Sequence, residues 1–205
     1  MTDGTDITGT GAAANSVSDV ATPTSQRSSA GGEHSPATSL RFLNNASYGS
    51  AVDMLKRCCG SSHWVREMVN TRPYSTPEDF LAAARQTDDT LTKNDWLEAF
   101  SHHPRIGDRT VLRAKVAGWA NGEQRGVDAA DDLLLEALAE ANLEYERKFN
   151  FIFLICASGV SGREMLAAMQ QRLVNDRDSE WKIAAAEQRK ITQLRLNKLI
   201  EEHTQ

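Results

Sequence analysis

The sequence has 205 residues, of which 40% are hydrophobic and 25% charged, and its 23 Lys and Arg residues against 28 Asp and Glu residues give a net charge of −5. This length suits a single domain with a buried core. No apolar run reaches the roughly 18 residues of a membrane helix. An acidic balance argues against nucleic acid or an anionic membrane as a partner, because both require a basic surface.

The first 40 residues differ in composition from the rest of the chain. They are rich in Thr, Ser, Gly and Ala, contain no aromatic residue, and carry one basic residue, Arg27, against four acidic residues. Such a segment cannot bury enough apolar surface to offset the conformational entropy that folding removes. The sequence therefore predicts a disordered tail over residues 1–40 and one folded domain over residues 41–205.

The cysteines and the chain ends bear on the cellular compartment. Cys58, Cys59 and Cys156 are odd in number, and two are adjacent, which indicates a reducing compartment and not a disulfide framework. Their spacing matches no zinc motif, so buried packing is favoured over reactive thiols or metal ligands. No secretory or mitochondrial signal is recognisable, and the sequence does not end in a peroxisomal signal of the Ser-Lys-Leu type. We expect a cytoplasmic protein, with the peroxisome as the alternative.

Helix signals dominate the chain from residue 51 onward. The first predicted helix covers residues 51–59, and Gly60 is expected to follow it at the C′ position. Three capping motifs come next: Thr76-Pro77-Glu78-Asp79, Thr92 with Asp95, and Ser161 with Glu164. The first predicts a helix over residues 77–86, the second a helix to about residue 102, and the third a helix that contains Met165. Apolar spacing predicts two longer helices, over residues 128–148 and 181–200.

One run resembles a β-strand. The apolar spacing over residues 149–156 is compatible with a strand, a buried helix or an extended core segment. Because no second strand is available to pair with it, we expect an all-α fold in a single multi-helix domain.

His103 is the first candidate for chemistry. Pro104 disfavours helical backbone at His103, so the preceding helix should end there and present the imidazole at its edge. A helix C-terminus favours a cationic ring, which would raise the pKa of the histidine towards neutrality and suit it to acid–base catalysis. The alternative is a solvated helix-end histidine that only complements the helix dipole.

Two further positions attract attention. Glu123 and Gln124 stand side by side in a glycine-containing connection, where they could be functional or simply solvated. Arg195 lies four residues after Ile191 and four before Leu199, which places a guanidinium on the apolar stripe of the last helix. It could extend to solvent, or bind an anion or a carbonyl group in the interior.

Taken together, several ordered motifs resemble one family. The main ones are His103-Pro104-Arg105-Ile106-Gly107-Asp108, Glu123-Gln124, Phe151-Ile152-Phe153-Leu154-Ile155-Cys156-Ala157-Ser158-Gly159, and Lys190-Ile191-Thr192-Gln193-Leu194-Arg195-Leu196. In this order they are similar to the 2-oxo-4-hydroxy-4-carboxy-5-ureidoimidazoline (OHCU) decarboxylase family, from about residue 42 to 201. The resemblance implies an all-helical homodimer that converts OHCU to (S)-allantoin, the last step of urate oxidation in purine degradation, without a metal or an organic cofactor.

The resemblance also assigns roles to residues. It implies that His103 is the catalytic histidine and Glu123 its acidic partner, and that Pro104, Gln124 and Arg195 contact the substrate. The alternative is a catalytically inactive helical binding or interaction module of the same fold, in which His103 and Arg195 are structural.

The sequence departs from the family pattern at two positions. Ala120 stands where family members often have a serine, so one hydrogen bond to substrate should be missing or supplied by water. Asn150 replaces the glycine of a Phe-Gly-Phe motif, and asparagine is the residue that best replaces glycine where φ is positive.

Overall fold

The computed structural model describes residues 40–105 and 128–204. Side chains of the second range are described from Asp132 onward. The helices in the described ranges are α1 (Arg41–Asn44), α2 (Tyr48–Lys56), α3 (Ser62–Asn70), α4 (Pro77–Asp88), α5 (Lys93–Ser101), α6 (Asp128–Phe149), α7 (Gly162–Arg172) and α8 (Arg177–Glu201). No strand occurs in these two ranges, which confirms the all-α prediction. Of the tail predicted over residues 1–40, residues 1–39 lie outside the described residues, as do the predicted site residues Glu123 and Gln124 and the position Ala120.

The capping motifs act as the sequence predicts. The Thr76 hydroxyl accepts a hydrogen bond from the Asp79 backbone N–H at 3.0 Å and begins α4. Thr92 with Asp95 forms a reciprocal capping box at the start of α5, and Ser161 with Glu164 forms another at the start of α7. Each motif satisfies backbone N–H groups that the first helical turn leaves without partners.

The last helix begins earlier than its apolar spacing predicts. The Asp176 carboxylate accepts hydrogen bonds from the Asp178 and Ser179 backbone N–H groups and starts α8 at Arg177. The turn before Trp181 is polar, so apolar spacing gives no sign of it. Of the two long helices, the other ends at Phe149, one residue beyond its predicted end.

The prediction for Gly60 is wrong. Helix α2 is capped by Ser47 and ends at Lys56, three residues before the predicted end, and among the glycines of the described ranges it is Gly159 that has a positive φ, of 76°. Gly60 instead lies against the end of α5, where a Cβ at its position would come within 2.4 Å of the His102 Cβ. A glycine is needed there because the two segments approach too closely for a side chain.

The described residues form three groups of buried apolar side chains, and helix α8 contributes to two of them. Leu196 and Leu199 pack into a core built mainly from α1 to α4. Ala184 packs with Trp96 and Phe100 of α5. A separate core joins α6 to α7 through aromatic and methionine side chains. The residues that α8 carries between Ala184 and Leu199 therefore lie where the first five helices meet the last one.

The strand-like run contains neither strand nor helix beyond Phe149. We call residues Phe151–Cys156 the core segment: it connects α6 towards α7, and its Ile152, Phe153 and Leu154 side chains are buried. Asn150 precedes it with φ of 69°, as expected for an asparagine in place of glycine. Of the strand, the buried helix and the core segment offered as alternatives, the structure therefore shows a core segment without regular secondary structure.

None of the helices in the described ranges combines the length and the apolar composition needed to cross a membrane.

Candidate active site

His103 lies directly after α5, as the following proline predicts. Helix α5 ends at Ser101, and the His103 backbone N–H donates to the Phe100 carbonyl at 3.1 Å, which closes a final turn. The imidazole is half-buried, and its Nε2 lies 2.8 Å from Oε1 of Gln188 on α8. A fully solvated helix-end histidine does not describe this arrangement, because the ring is held against the last helix. Pro104, the next residue, is exposed.

Gln188 is a site residue that sequence reasoning missed. Its side chain is 1% exposed, and its Nε2 donates to the Thr192 hydroxyl at 3.1 Å, one turn further along α8. A buried amide is costly unless it is hydrogen-bonded, and Gln188 meets this requirement by bonding both His103 and Thr192. Gln188 lies four residues after Ala184, so the apolar stripe of the last helix could have predicted that it is buried. The stripe does not show which group it contacts.

Arg195 lies two turns beyond Gln188 and is half-buried. Its Nη1 donates to the carbonyl oxygens of Arg57 and Cys58 at 3.3 and 3.4 Å. Of the alternatives for this residue, the structure thus shows a contact with carbonyl groups. The contact holds the turn after α2 against α8, because one guanidinium bridges two consecutive carbonyls.

A cleft of about 420 Å³ lies beside this contact. Its lining residues are Met54, Lys56, Arg57, Cys58, Gly60, His102, Arg195, Lys198, Leu199 and Glu202. Four Lys and Arg side chains face it against one glutamate, so its potential favours a small anion. Arg195 and His102 line this cleft, whereas His103 is not among the lining residues and faces Gln188.

The core segment is fixed by two charged side chains. Arg172 Nη1 donates to the Leu154 carbonyl at 2.7 Å, and Glu187 accepts from the Cys156 backbone N–H at 2.7 Å. Glu187 is the neighbour of Gln188 on α8. Consecutive residues of α8 therefore hold the core segment and the His103 ring.

The two adjacent cysteines behave as packing residues. Burial raises the pKa of Cys58 to about 11 and that of Cys59 to about 12, so both remain protonated near neutral pH. Within residues 40–105 and 128–204, no three His, Cys, Asp or Glu side chains are placed to hold a metal ion. The expected independence from metals and cofactors stays a prediction.

Comparison with known proteins places the chain in a family. The sequence pattern of the OHCU decarboxylase family matches residues 44–197. The uric acid degradation bifunctional protein TTL of Arabidopsis thaliana is 41% identical over 72% of this chain, which spans 46% of that relative's length. The 2-oxo-4-hydroxy-4-carboxy-5-ureidoimidazoline decarboxylase of Amia calva is 28% identical over 79% of this chain and 94% of its own.

The fold agrees with these sequence matches. A crystal structure of an OHCU decarboxylase in the presence of (S)-allantoin is similar with a TM-score of 0.60 and 40% identity, covering 73% of this chain and 98% of that one. A crystal structure of an (S)-allantoin synthase shares the fold at 18% identity, with a TM-score of 0.56. The family pattern extends over most of the chain and includes His103 and Arg195. This chain therefore belongs to the OHCU decarboxylase family.

Proposed function

We propose that this protein catalyses the decarboxylation of OHCU to (S)-allantoin without a cofactor. The proposal rests on one observation: the chain covers 98% of a solved OHCU decarboxylase at 40% identity, in a structure determined in the presence of (S)-allantoin. The domain is thus long enough to contain the whole of that enzyme's site. Only this activity is proposed, because the chain spans 46% of the bifunctional Arabidopsis relative.

The proposed reaction requires charge stabilisation and one proton. The bond between the ring carbon and its carboxylate breaks, CO₂ leaves, and the electron pair remains on the ring, where an adjacent imine or carbonyl delocalises it. A proton then adds to one face of the ring and sets the configuration of the product. No electrons are exchanged with another molecule, so orientation, charge stabilisation and proton delivery are the tasks left to the protein.

The named side chains divide these tasks. His103 and Glu123 handle protons or hydrogen-bond the 4-hydroxyl group, Arg195 and Gln124 bind polar groups of the ring and of the ureido substituent, and Pro104 contacts the substrate. Two observations support these roles: His103 is half-buried with its Nε2 2.8 Å from Gln188, and Arg195 borders a cleft rich in basic side chains. Such a cleft favours a substrate that carries a carboxylate.

The activity test uses freshly generated substrate. OHCU is made from urate by urate oxidase and the hydrolase that acts next, and circular dichroism follows the allantoin that forms. The wild-type protein should produce one enantiomer quickly, and His103→Ala should be at least about 100-fold slower, since acid–base catalysis contributes about that much or more. His63→Gln, on α3, is the matched histidine control.

Two outcomes would contradict the proposal. Unchanged turnover in His103→Ala would remove this residue from the mechanism. A wild-type rate equal to the spontaneous racemic decay would favour the inactive binding or interaction module.

We also infer a homodimer in the cytoplasm that uses neither nucleic acid nor a membrane as partner. Resemblance to the family supports the dimer, and the net charge of −5 supports the absence of the two polyanionic partners. Light scattering coupled to size-exclusion chromatography at micromolar concentration should give twice the 22.6 kDa chain mass. A monomer would contradict the dimer, and a fluorescent fusion found in peroxisomes would contradict the compartment.

A further inference from the structure

The ring of His103 contacts a buried side chain that the proposed mechanism does not use. Gln188 lies 85 positions later in the chain, is 1% exposed, and its Oε1 is 2.8 Å from the ring Nε2. The oxygen of an amide accepts hydrogen bonds and cannot donate one. The ring nitrogen that faces it must therefore carry a proton.

The orientation of the Gln188 amide is set by a second hydrogen bond. Its Nε2 donates to the Thr192 hydroxyl at 3.1 Å, and Thr192 is also 1% exposed. In this bond the Thr192 oxygen is the acceptor, so the amide nitrogen of Gln188 faces Thr192 and the amide oxygen is left for His103. We call the series His103, Gln188 and Thr192 the amide chain.

The amide chain is neutral, and this matters for a histidine that exchanges protons. A carboxylate at the position of the Gln188 oxygen would favour the charged ring and hold its proton more tightly. A hydrocarbon there would remove the acceptor that faces Nε2. A glutamine fixes the proton on Nε2 without adding a charge, so gain and loss of the second proton take place at Nδ1.

We propose that Gln188 is a positioning residue for the decarboxylation, which holds His103 in the tautomer with hydrogen on Nε2. This inference rests on the proposed function, because it gives His103 a role in proton handling. Gln188 contacts the imidazole and acts through it.

The kinetic test compares three variants with the same OHCU assay. Gln188→Met keeps the volume and removes the acceptor, so kcat should fall at least about tenfold with KM little changed, as expected when a histidine loses the group that sets its tautomer. Gln188→Glu keeps an acceptor facing Nε2 and should recover part of the loss. Gln193→Met, on the same helix but bonded towards α4, should keep the wild-type kcat.

A spectroscopic readout tests the contact without reference to activity. In protein labelled with ¹⁵N-histidine, the hydrogen-bonded Nε2 proton of His103 should give a resolved N–H correlation that His103→Ala removes. Gln188→Met should abolish this signal through exchange with water, while Gln188→Glu and Gln193→Met should retain it. Urea unfolding of each variant establishes that the proteins compared are folded.

The possible results separate the two proposals. If His103→Ala is slow but Gln188→Met keeps both kcat and the Nε2–H signal, the role of Gln188 is overturned and the proposed function stands. A signal on Nδ1 in the wild type would also overturn it. If His103→Ala is as fast as the wild type, the role of His103 fails, and the catalytic role of Gln188 fails with it, whatever the spectrum shows.

Discussion

Helix α8 carries two buried polar clusters that are built in different ways. In the charged cluster, Glu180 is fully buried and accepts hydrogen bonds from Tyr145, Arg172 and Asn175, with Arg172 Nε at 2.8 Å and Asn175 Nδ2 at 2.8 Å. In the amide chain, two turns further along, Gln188 joins Thr192 to His103 through neutral groups. The first cluster contains a buried ion pair, whereas the buried members of the second, Gln188 and Thr192, are uncharged.

The two clusters differ in the role that we assign to their buried polar groups: the first supports the scaffold, and the second contacts the proposed catalytic histidine. The ionic groups of the charged cluster have partners within α6, α7 and α8, and Arg172 also holds the Leu154 carbonyl of the core segment. Nothing in this cluster needs to change charge, so a strong and satisfied ion pair suits it. In the proposed mechanism the imidazole at the end of the amide chain gains and loses a proton, and a neutral partner opposes neither protonation state. Under that proposal, the buried ion pair stabilises the scaffold and the buried amide positions the reacting imidazole.

The largest expected effect comes from breaking the charged cluster. Glu180→Ala leaves Arg172 buried without its carboxylate, and removal of one partner of a buried pair costs about 3–5 kcal/mol of unfolding free energy. Urea denaturation followed by circular dichroism measures this, with Glu201→Ala at the exposed end of α8 as the control. A larger loss of stability in Gln188→Met than in Glu180→Ala would contradict the division between the clusters.

The second prediction concerns Asp88, a buried carboxylate with poor partners. It is 2% exposed, and its Oδ2 lies 3.8 Å from Arg189 Nε without a hydrogen bond in the described parts of the chain. Burial raises its pKa from 3.8 to about 6, with Arg189 acting in the opposite direction. The folded protein thus binds this proton more tightly than the unfolded chain does. The tighter binding of the Asp88 proton therefore adds its full amount to the free energy of unfolding below about pH 4, and this contribution is lost as pH rises through about 6.

Asp88→Asn should reverse that loss, because asparagine resembles the protonated acid. Relative to the wild type, the variant should gain roughly 2–3 kcal/mol of unfolding free energy between about pH 4 and pH 8. Urea denaturation of both proteins across this range measures the difference, and Asp53→Asn, at an exposed position of α2, controls for the loss of one negative charge. If the difference in unfolding free energy between Asp88→Asn and the wild type did not vary with pH, the pKa of Asp88 would not be raised in the folded protein, and the prediction would be wrong.

The smallest expected effect tests the backbone next to His103. In Gly60→Ala, the new methyl group would meet His102 Cβ at 2.4 Å, so the turn must shift at a cost of about 1–2 kcal/mol. Gly49→Ala in α2 is a matched control: no atom lies within 4 Å of its Cβ, and the variant should be stabilised by up to about 1 kcal/mol. Thermal unfolding compares the two. Equal stability of both variants would mean that the close approach of Gly60 to His102 is not tight in solution.

Local signals explain most of what could be predicted about the fold. Thr76, Thr92 and Ser161 begin helices through hydrogen bonds to residues within the next turn. Such contacts depend on neighbours in the chain, so they are readable without the fold. Gly60 shows the limit of this reasoning, because its place is set by His102, which approaches from the end of another helix.

The site was partly predictable for the same reason. Pro104 placed His103 at a helix end, and the apolar stripe placed Arg195 on the inner face of α8. Glu123 and Gln124 remain predictions, since they lie outside the described residues. Gln188 and Thr192 were missed because a polar residue on a buried face has no identifiable partner until another helix is packed against it.

The sequence by itself determined the all-helical class, the caps that begin α4, α5 and α7, the family, and the positive φ at Asn150. These features depend on composition, on ordered motifs and on contacts within one helical turn. Only the tertiary structure decided that Nε2 of the His103 ring faces Gln188, that Arg195 binds the carbonyls after α2, and that Glu180 is buried among its three donors. Each of these contacts joins distant segments, and its energy depends on desolvation and distance, which exist only once the helices have packed.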